Sequence, residues 1–336
     1  MSGLMEGRCP GSSGSQRLVI RGVGGVLLPC VILIVLALIG CEPPDHPPTS
    51  SGNLPPDAVA YLEPGRVSTF NLQEGVVYRS VRSRTRPWNI HLIEVDASRC
   101  ELGFRVVRAG EVEGRIEVSV MARRSEPGVI AAINGDFFTP EDVPLGVEVS
   151  RGELRGRTSR PVFAWRPGEV PWVGPVEWGG DSLRLGNWAV SEKGPGMGVQ
   201  VVAGFPSLLE GGVPVGDLEL RERPQFSAER HPRTAVGFDP ERLRLWLVVA
   251  DGRREGVSEG MTLPELAGLF HSLGARDAIN LDGGGSSVMV IRGEAVSSPS
   301  GPGGERPVVN GLIVRKDESY CTTDRGRHPH TPWELL

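Results

Sequence analysis

The stretch AINLDGGGSSVMVI, residues 278–291, decides how this chain is read. Ala278 to Leu281 is a short apolar run, Asp282 closes it, glycines 283–285 turn the chain, and Ser287 to Ile291 reads as a second strand. A tight turn needs one or two glycines. Three in a row let the backbone approach a ligand closely and leave N–H groups for an anion. Just upstream, Thr262 and Glu265 have the spacing of a capping box. Leu263, Leu266, Ala267, Phe270 and Leu273 then recur at helical spacing, and Gly274 suits the C-terminal cap. The pattern predicts a helix over 263–273 followed by a strand that delivers Asp282 to a glycine turn.

The same words occur earlier. Residues 132–136 read AINGD and residues 278–282 read AINLD. Residues two apart on a strand share a face, so Asn134 would point with Asp136, and Asn280 with Asp282. Further out, Arg233–Phe238 and Leu243–Val249 flank Asp239-Pro240-Glu241-Arg242, a good type I turn. Ile90–Val95 reads as a strand, with Leu102–Val107 as its neighbour across residues 96–100. Ile116–Arg124 reads as a short helix, Gly128–Ile133 as a strand and Val308–Val314 as the last strand. Residues 140–230 read as strands and long loops, with Trp165, Trp172, Trp178 and Trp188 as core or sheet-surface residues. The expected fold is α+β: one domain over 59–318, with mixed, largely antiparallel sheets and few helices.

Composition agrees. The chain has 336 residues, 46 of them Gly and 29 Pro, which favours turns and strands over a helical bundle. With 36 basic and 41 acidic side chains the net charge is −5, against the basic face of a nucleic-acid binder, so none is expected as a partner.

The first 40 residues read as a signal segment. Arg8, Arg17 and Arg21 precede the apolar run Val23–Ile39, which ends Leu38-Ile39-Gly40-Cys41. Such an ending resembles the lipobox of bacterial lipoproteins, which implies lipidation at Cys41 and a membrane-anchored body outside the cytoplasm. An uncleaved transmembrane anchor is the rival reading, near the lower length limit of about 17–25 residues. Residues 41–58 read as a Pro/Ser-rich tether and 319–336 as a loosely ordered tail with His328 and His330. Cys100 and Cys321 are the cysteines left in the body, and an oxidising compartment suggests that they pair; two free thiols are the alternative. No CxxC pattern supports a zinc site.

No G-x-S-x-G elbow, HExxH, Walker loop or dinucleotide fingerprint is present. What is present is polar residues at strand ends. Asp282 stands before Gly283, Gly284 and Gly285, with Ser286 and Ser287 adding hydroxyls. Asp136 lies between Asn134-Gly135 and Phe137-Phe138, and Asp251 ends another strand before Gly252 and Arg253. Arg233 stands beside Thr234, and an arginine's planar fork suits phosphate oxygens. Arg306 lies between Glu305 and Pro307, near Asn310. Paired carboxylates can serve glycoside cleavage, and arginine with backbone N–H groups can stabilise a phosphate. The residues alone point to hydrolysis at a sugar or phosphate centre.

Taken together, AINGDFF (132–138), RTAVGFD (233–239), VVADGR (248–253), GMTLPELA (260–267), INLDGGGSS (279–287) and ERPVVNGL (305–312) resemble the phosphodiester glycosidase family. The resemblance implies cleavage between a sugar's anomeric carbon and a phosphodiester, giving free sugar and a phosphomonoester. It marks Asn134, Asp136, Arg233, Asp251, Asp282, Gly283, Gly284, Gly285, Ser286 and Arg306 as site positions, beside Thr234 and Asn280. Asp282 and Asp136 are the expected main catalytic carboxylates, with Asp251 a third. Arg233 and the glycine amides would hold the phosphate. A cell-envelope glycan or other sugar-phosphodiester is the expected substrate, with no cofactor. Two alternatives stay open. One is an inactive glycan-binding surface lipoprotein. The other is a metal-dependent phosphodiesterase in which Asp136, Asp251 and Asp282 hold a divalent cation.

Overall fold

Strand follows strand in this chain because β-branched and aliphatic residues come in short runs, each closed by Gly, Pro or Asp. The computed structural model describes residues 54–110, 114–186, 188–196, 198–218, 221 and 223–322. The expected signal segment, Cys41, most of the expected tether and the tail from residue 323, with its two histidines, lie outside the described residues.

An eight-stranded sheet holds, in spatial order, Pro64–Gln73, Val76–Ser83, Asn89–Asp96, Arg244–Ala250, Arg233–Asp239, Asp277–Asn280, Ser207–Glu210 and Val213–Pro214, all neighbours antiparallel. Both faces are covered, so its inner strands 233–239 and 244–250 are buried almost throughout rather than on alternate residues. On one face lie the helices Pro56–Leu62 and Leu263–Leu273, whose Ala58, Leu62, Leu266 and Phe270 pack on Leu92, Trp246 and Val248. The longer helix is held at its start by the expected capping box, with Glu265 N–H on Thr262 Oγ1 at 3.1 Å and Thr262 N–H on Glu265 at 2.9 Å. Gly237 lets it seat closely, since a Cβ there would lie 2.4 Å from the Phe270 ring.

On the other face Ile93, Val236, Leu247 and Ile279 meet Phe104, Ile133 and Leu312 of a second sheet. That sheet runs Glu294–Ala295, Met289–Ile291, Val129–Asn134, Asn310–Lys316, Leu102–Arg108. Its outer face is covered by the helix Val118–Arg124. Residues 148–203 build a five-stranded and a three-stranded sheet around Val149, Ala164, Leu183 and Val190. Trp165 and Trp188 are buried there, and Trp172 and Trp178 pack on the edge. The fold is α+β and mostly antiparallel, as expected.

Three expectations are corrected. Strands 89–96 and 102–108 are not neighbours; the first pairs with 76–83 and 244–250, the second with 310–316, so residues 97–101 cross between sheets. The helix begins at Val118, because Ile116 bridges to Val308. The folded region also reaches further at both ends than 59–318. Leu54 and Ala58 are core residues within the expected tether. At the other end, Glu318–Thr322 forms a short helical turn that Cys321 ties to Cys100 by a disulfide, while Tyr320 sits edge-on to Trp165 at 5.1 Å.

Candidate active site

The two echoing strands end against each other. Asn134 closes strand 129–134 of the second sheet and Asn280 closes strand 277–280 of the first. Asn134 Nδ2 donates to the Asp282 carbonyl at 2.6 Å, and its Oδ1 accepts from Thr234 Oγ1 at 2.7 Å and Val288 N–H at 3.2 Å. Asp282 N–H donates to the Gly135 carbonyl at 3.0 Å. Asn280 Nδ2 donates to the Phe205 carbonyl at 2.7 Å. Both asparagines are fully buried. They fix where the two aspartates emerge.

Asp136 and Asp282 come together. Asp136 is buried; its Oδ2 accepts Gly146 N–H at 2.6 Å, while Oδ1 has no hydrogen-bond partner among the described residues. Burial pushes its carboxyl up to about 7; the Gly146 N–H and Arg160 oppose this, and the charge of Asp282 adds to it. Asp282 is also pushed up by burial, against the Ser286 hydroxyl, the Gly283 N–H at 2.9 Å and Arg306. Glycine is required at 146, since a Cβ would lie 2.0 Å from Ala203 Cβ and 2.8 Å from Asp136 Oδ2. Behind Asp136, Asn310 Oδ1 accepts its N–H at 2.9 Å, and Asn310 Nδ2 is held by Glu148, which Arg108 pairs.

A half-exposed rim of phenylalanines and arginines surrounds the pair. Phe226 meets Phe137 edge-on at 6.0 Å and stacks on Phe205 at 6.5 Å. Arg160 lies over Phe205 at 5.2 Å and Phe137 at 5.8 Å. Arg306 lies over Phe138 at 5.0 Å and reaches Ser286 Oγ at 3.3 Å. Among the described residues neither Arg160 nor Arg306 forms an ion pair. Arg160, Phe205, Phe226 and Glu148 carry no sequence signal: each sits in a segment whose position only the tertiary fold sets.

Other expected site residues have their polar atoms engaged by the protein. Arg233 is buried, with Nε on the Met261 carbonyl at 2.9 Å and Nη2 on those of Phe226 and Glu229 at 2.5 and 3.2 Å. The Thr234 hydroxyl donates to Asn134. Of the three glycine amides expected to face an anion, Gly283 N–H is on Asp282 and Gly284 N–H is on the Pro232 carbonyl at 2.8 Å. Asp251 belongs to a separate network: Oδ2 accepts from Asn89 at 2.6 Å and His91 at 3.1 Å, and Oδ1 from Ser298 N–H at 2.8 Å. Burial would raise its carboxyl, but those donors hold it below the usual carboxylate range.

The family model for phosphodiester glycosidases matches residues 127–315, the span that holds both carboxyls and the whole rim. The chain belongs to the phosphodiester glycosidase family. Over 68 residues it is 46% identical to the Mus musculus N-acetylglucosamine-1-phosphodiester alpha-N-acetylglucosaminidase, a match covering 20% of this chain and 13% of the mouse protein. Three solved structures share the fold. A hypothetical protein from Synechocystis aligns with a TM-score of 0.58 and 17% identity, over 75% of this chain and 64% of that one. The catalytic domain of the zebrafish N-acetylglucosamine-1-phosphodiester alpha-N-acetylglucosaminidase, auto-inhibited by its pro-peptide, gives 0.53 and 22%, over 75% and 82%. A protein from Burkholderia pseudomallei gives 0.50 and 18%, over 70% and 75%.

Proposed function

We propose that this chain hydrolyses sugar-1-phosphodiesters, adding water across the bond between the anomeric carbon and the bridging phosphate oxygen. Free sugar and a phosphomonoester are the products. The observation that carries this reading is the pair of buried Asp136 and half-buried Asp282, set inside the family's matched span and faced by Arg306. Asp136 is the proton carrier: with its carboxyl near 7 and Oδ1 unpartnered, it holds both protonation states at neutral pH. Asp282, pushed up by burial with Ser286, the Gly283 N–H and Arg306 opposing that push, acts at the anomeric carbon. Phosphate is a good leaving group, and Arg306 offsets its developing charge. The exposed edges of Phe137, Phe205 and Phe226 suit the apolar face of a sugar ring.

The N-terminal segment with Cys41, together with the Cys100–Cys321 disulfide, supports an extracytoplasmic, membrane-anchored location. A cell-envelope glycan phosphodiester is then the natural substrate. The reaction as written needs no cofactor.

The test is to incubate the chain with UDP-N-acetylglucosamine and a panel of sugar-1-phosphodiesters, with and without chelator. Free sugar, unaffected by chelator and lost in Asp282→Asn, is expected. A sugar-1-phosphate product would mean that phosphorus is the attacked centre, and the reading would be abandoned for a phosphodiesterase. Saturable binding without product would mean a glycan-binding protein.

A further inference from the structure

Arg253 is not part of the pair and rim described above, yet it borders the same glycine turn. A Cβ on Gly284 would lie 2.9 Å from Arg253 Nη2, so the guanidinium rests against that glycine. A Cβ on Gly285 would lie 3.5 Å from Arg306 Cδ. Both arginines therefore border the turn that follows Asp282. Arg253 is exposed, and among the described residues neither it nor Arg306 forms an ion pair. Each therefore has N–H donors to offer an anion at this turn.

Both arms are tied to Asp251, one through its backbone carbonyl and the other through its carboxylate. Asp251 precedes Arg253 by two residues, and its carbonyl accepts Ser258 Oγ at 2.7 Å, closing the turn that carries Arg253. Its Oδ1 accepts Ser298 N–H at 2.8 Å. Arg254 Nη1 also reaches Ser298 Oγ at 2.8 Å, and Ser300 Oγ reaches the Gly284 carbonyl at 3.3 Å. The segment so pinned runs on to Arg306.

We propose that Arg253 is a substrate-binding residue that closes with Arg306 on the phosphate, and that Asp251, its carboxylate oriented by His91 and Asn89, is the positioning residue for the segment that carries Arg306. The assignment rests on the glycosidase reading for its substrate, but the clamp can be tested without turnover. Inorganic phosphate is the probe, titrated calorimetrically into the full chain in phosphate-free buffer. Wild type is expected to bind, with Arg253→Ala and Arg306→Ala each weakening binding about tenfold or more. Arg253→Lys should keep part of the affinity, as a point charge without the planar fork. Asp251→Ala should weaken phosphate binding from a distance, and where substrate turns over it should raise KM more than it lowers kcat. Asp251→Asn, which can still accept from Ser298, should fall between.

Arg253 is a surface residue, so loss of fold is not expected; circular dichroism checks it. Equal phosphate affinity in wild type and Arg253→Ala overturns the clamp and leaves the glycosidase reading standing. No phosphate binding by wild type also overturns it. If phosphate binding depends on Arg253 but no sugar is released from any phosphodiester, the clamp holds and the glycosidase reading fails.

Discussion

Asn134 and Asp282 are 148 positions apart, yet the Asn134 amide donates to the Asp282 carbonyl at 2.6 Å. With the Thr234 hydroxyl and Val288 N–H closing on the same amide, one side chain joins both sheets directly beneath the carboxyl pair. Asn134→Ala would leave the buried Val288 donor and Asp282 acceptor unpaired. Each such group costs about 1–3 kcal/mol, so a loss of roughly 2–6 kcal/mol is expected by urea denaturation, with turnover falling in parallel. A variant as stable and active as wild type would show that this amide does not organise the site.

Asp136 makes the site sensitive to pH. Its folded carboxyl is pushed up to about 7 from an ordinary value of 3.8, so the folded state holds the proton more tightly than the unfolded chain. Stability from this group is fully present below pH 4 and is lost as pH rises through 7. Asp136→Asn, which stays neutral, should therefore be more stable than wild type at pH 8, with the gap closing toward pH 4. The same variant should lose turnover, and wild-type kcat/KM should show an ionisation near 7. An unchanged stability difference between pH 4 and 8 would remove Asp136 as the perturbed group.

Arg233 opens the strand that pairs directly with the one leading into Asp282, but its guanidinium holds the backbone of residues 226, 229 and 261. Arg233→Ala is expected to lower the thermal midpoint, because three carbonyl acceptors lose a charged donor in a buried place. Its defect should appear in stability first and in phosphate affinity only as a consequence. A variant with wild-type melting and lost phosphate affinity would restore the direct role expected from sequence.

The contrast shows where the sequence is informative. The helix 263–273 was legible to the residue, because a capping box and a glycine cap are local interactions. The turn between strands 233–239 and 244–250 was legible for the same reason. The echo of AINGD and AINLD located both carboxyls, since strand ends are where buried chains turn toward solvent. What could not be read was which polar atoms stay free. Arg233, Thr234 and Asp251 are the right residue types at the right ends, but their partners come from segments far away in sequence or from loop carbonyls. Likewise, residues 89–96 and 102–108 look like a hairpin because each is apolar, and only the competing ladders with 244–250 and 310–316 separate them. Phe205 and Phe226 join the rim through tertiary placement alone.

The Cys100–Cys321 disulfide gives a prediction that separates stability from chemistry. It spans 221 positions, nearly the whole folded region, so in the chain-entropy account it restricts the unfolded state strongly, by about 3–5 kcal/mol. Reduction, or Cys100→Ser with Cys321→Ser, should lower the thermal midpoint by roughly 10 °C for a domain of this size. The active site should not feel it directly. Strand Asn310–Lys316 runs from the Asp136 contact at Asn310 toward the disulfide turn beyond Lys316, a distance of about 20 Å along the strand. Reduced protein should thus keep its turnover at 25 °C and lose it at a lower temperature than the oxidised form. Loss of activity at 25 °C with no loss of secondary structure would mean that the disulfide turn is coupled to Asp136 through that strand. An unshifted midpoint would mean that the Tyr320–Trp165 packing alone holds the C-terminal turn.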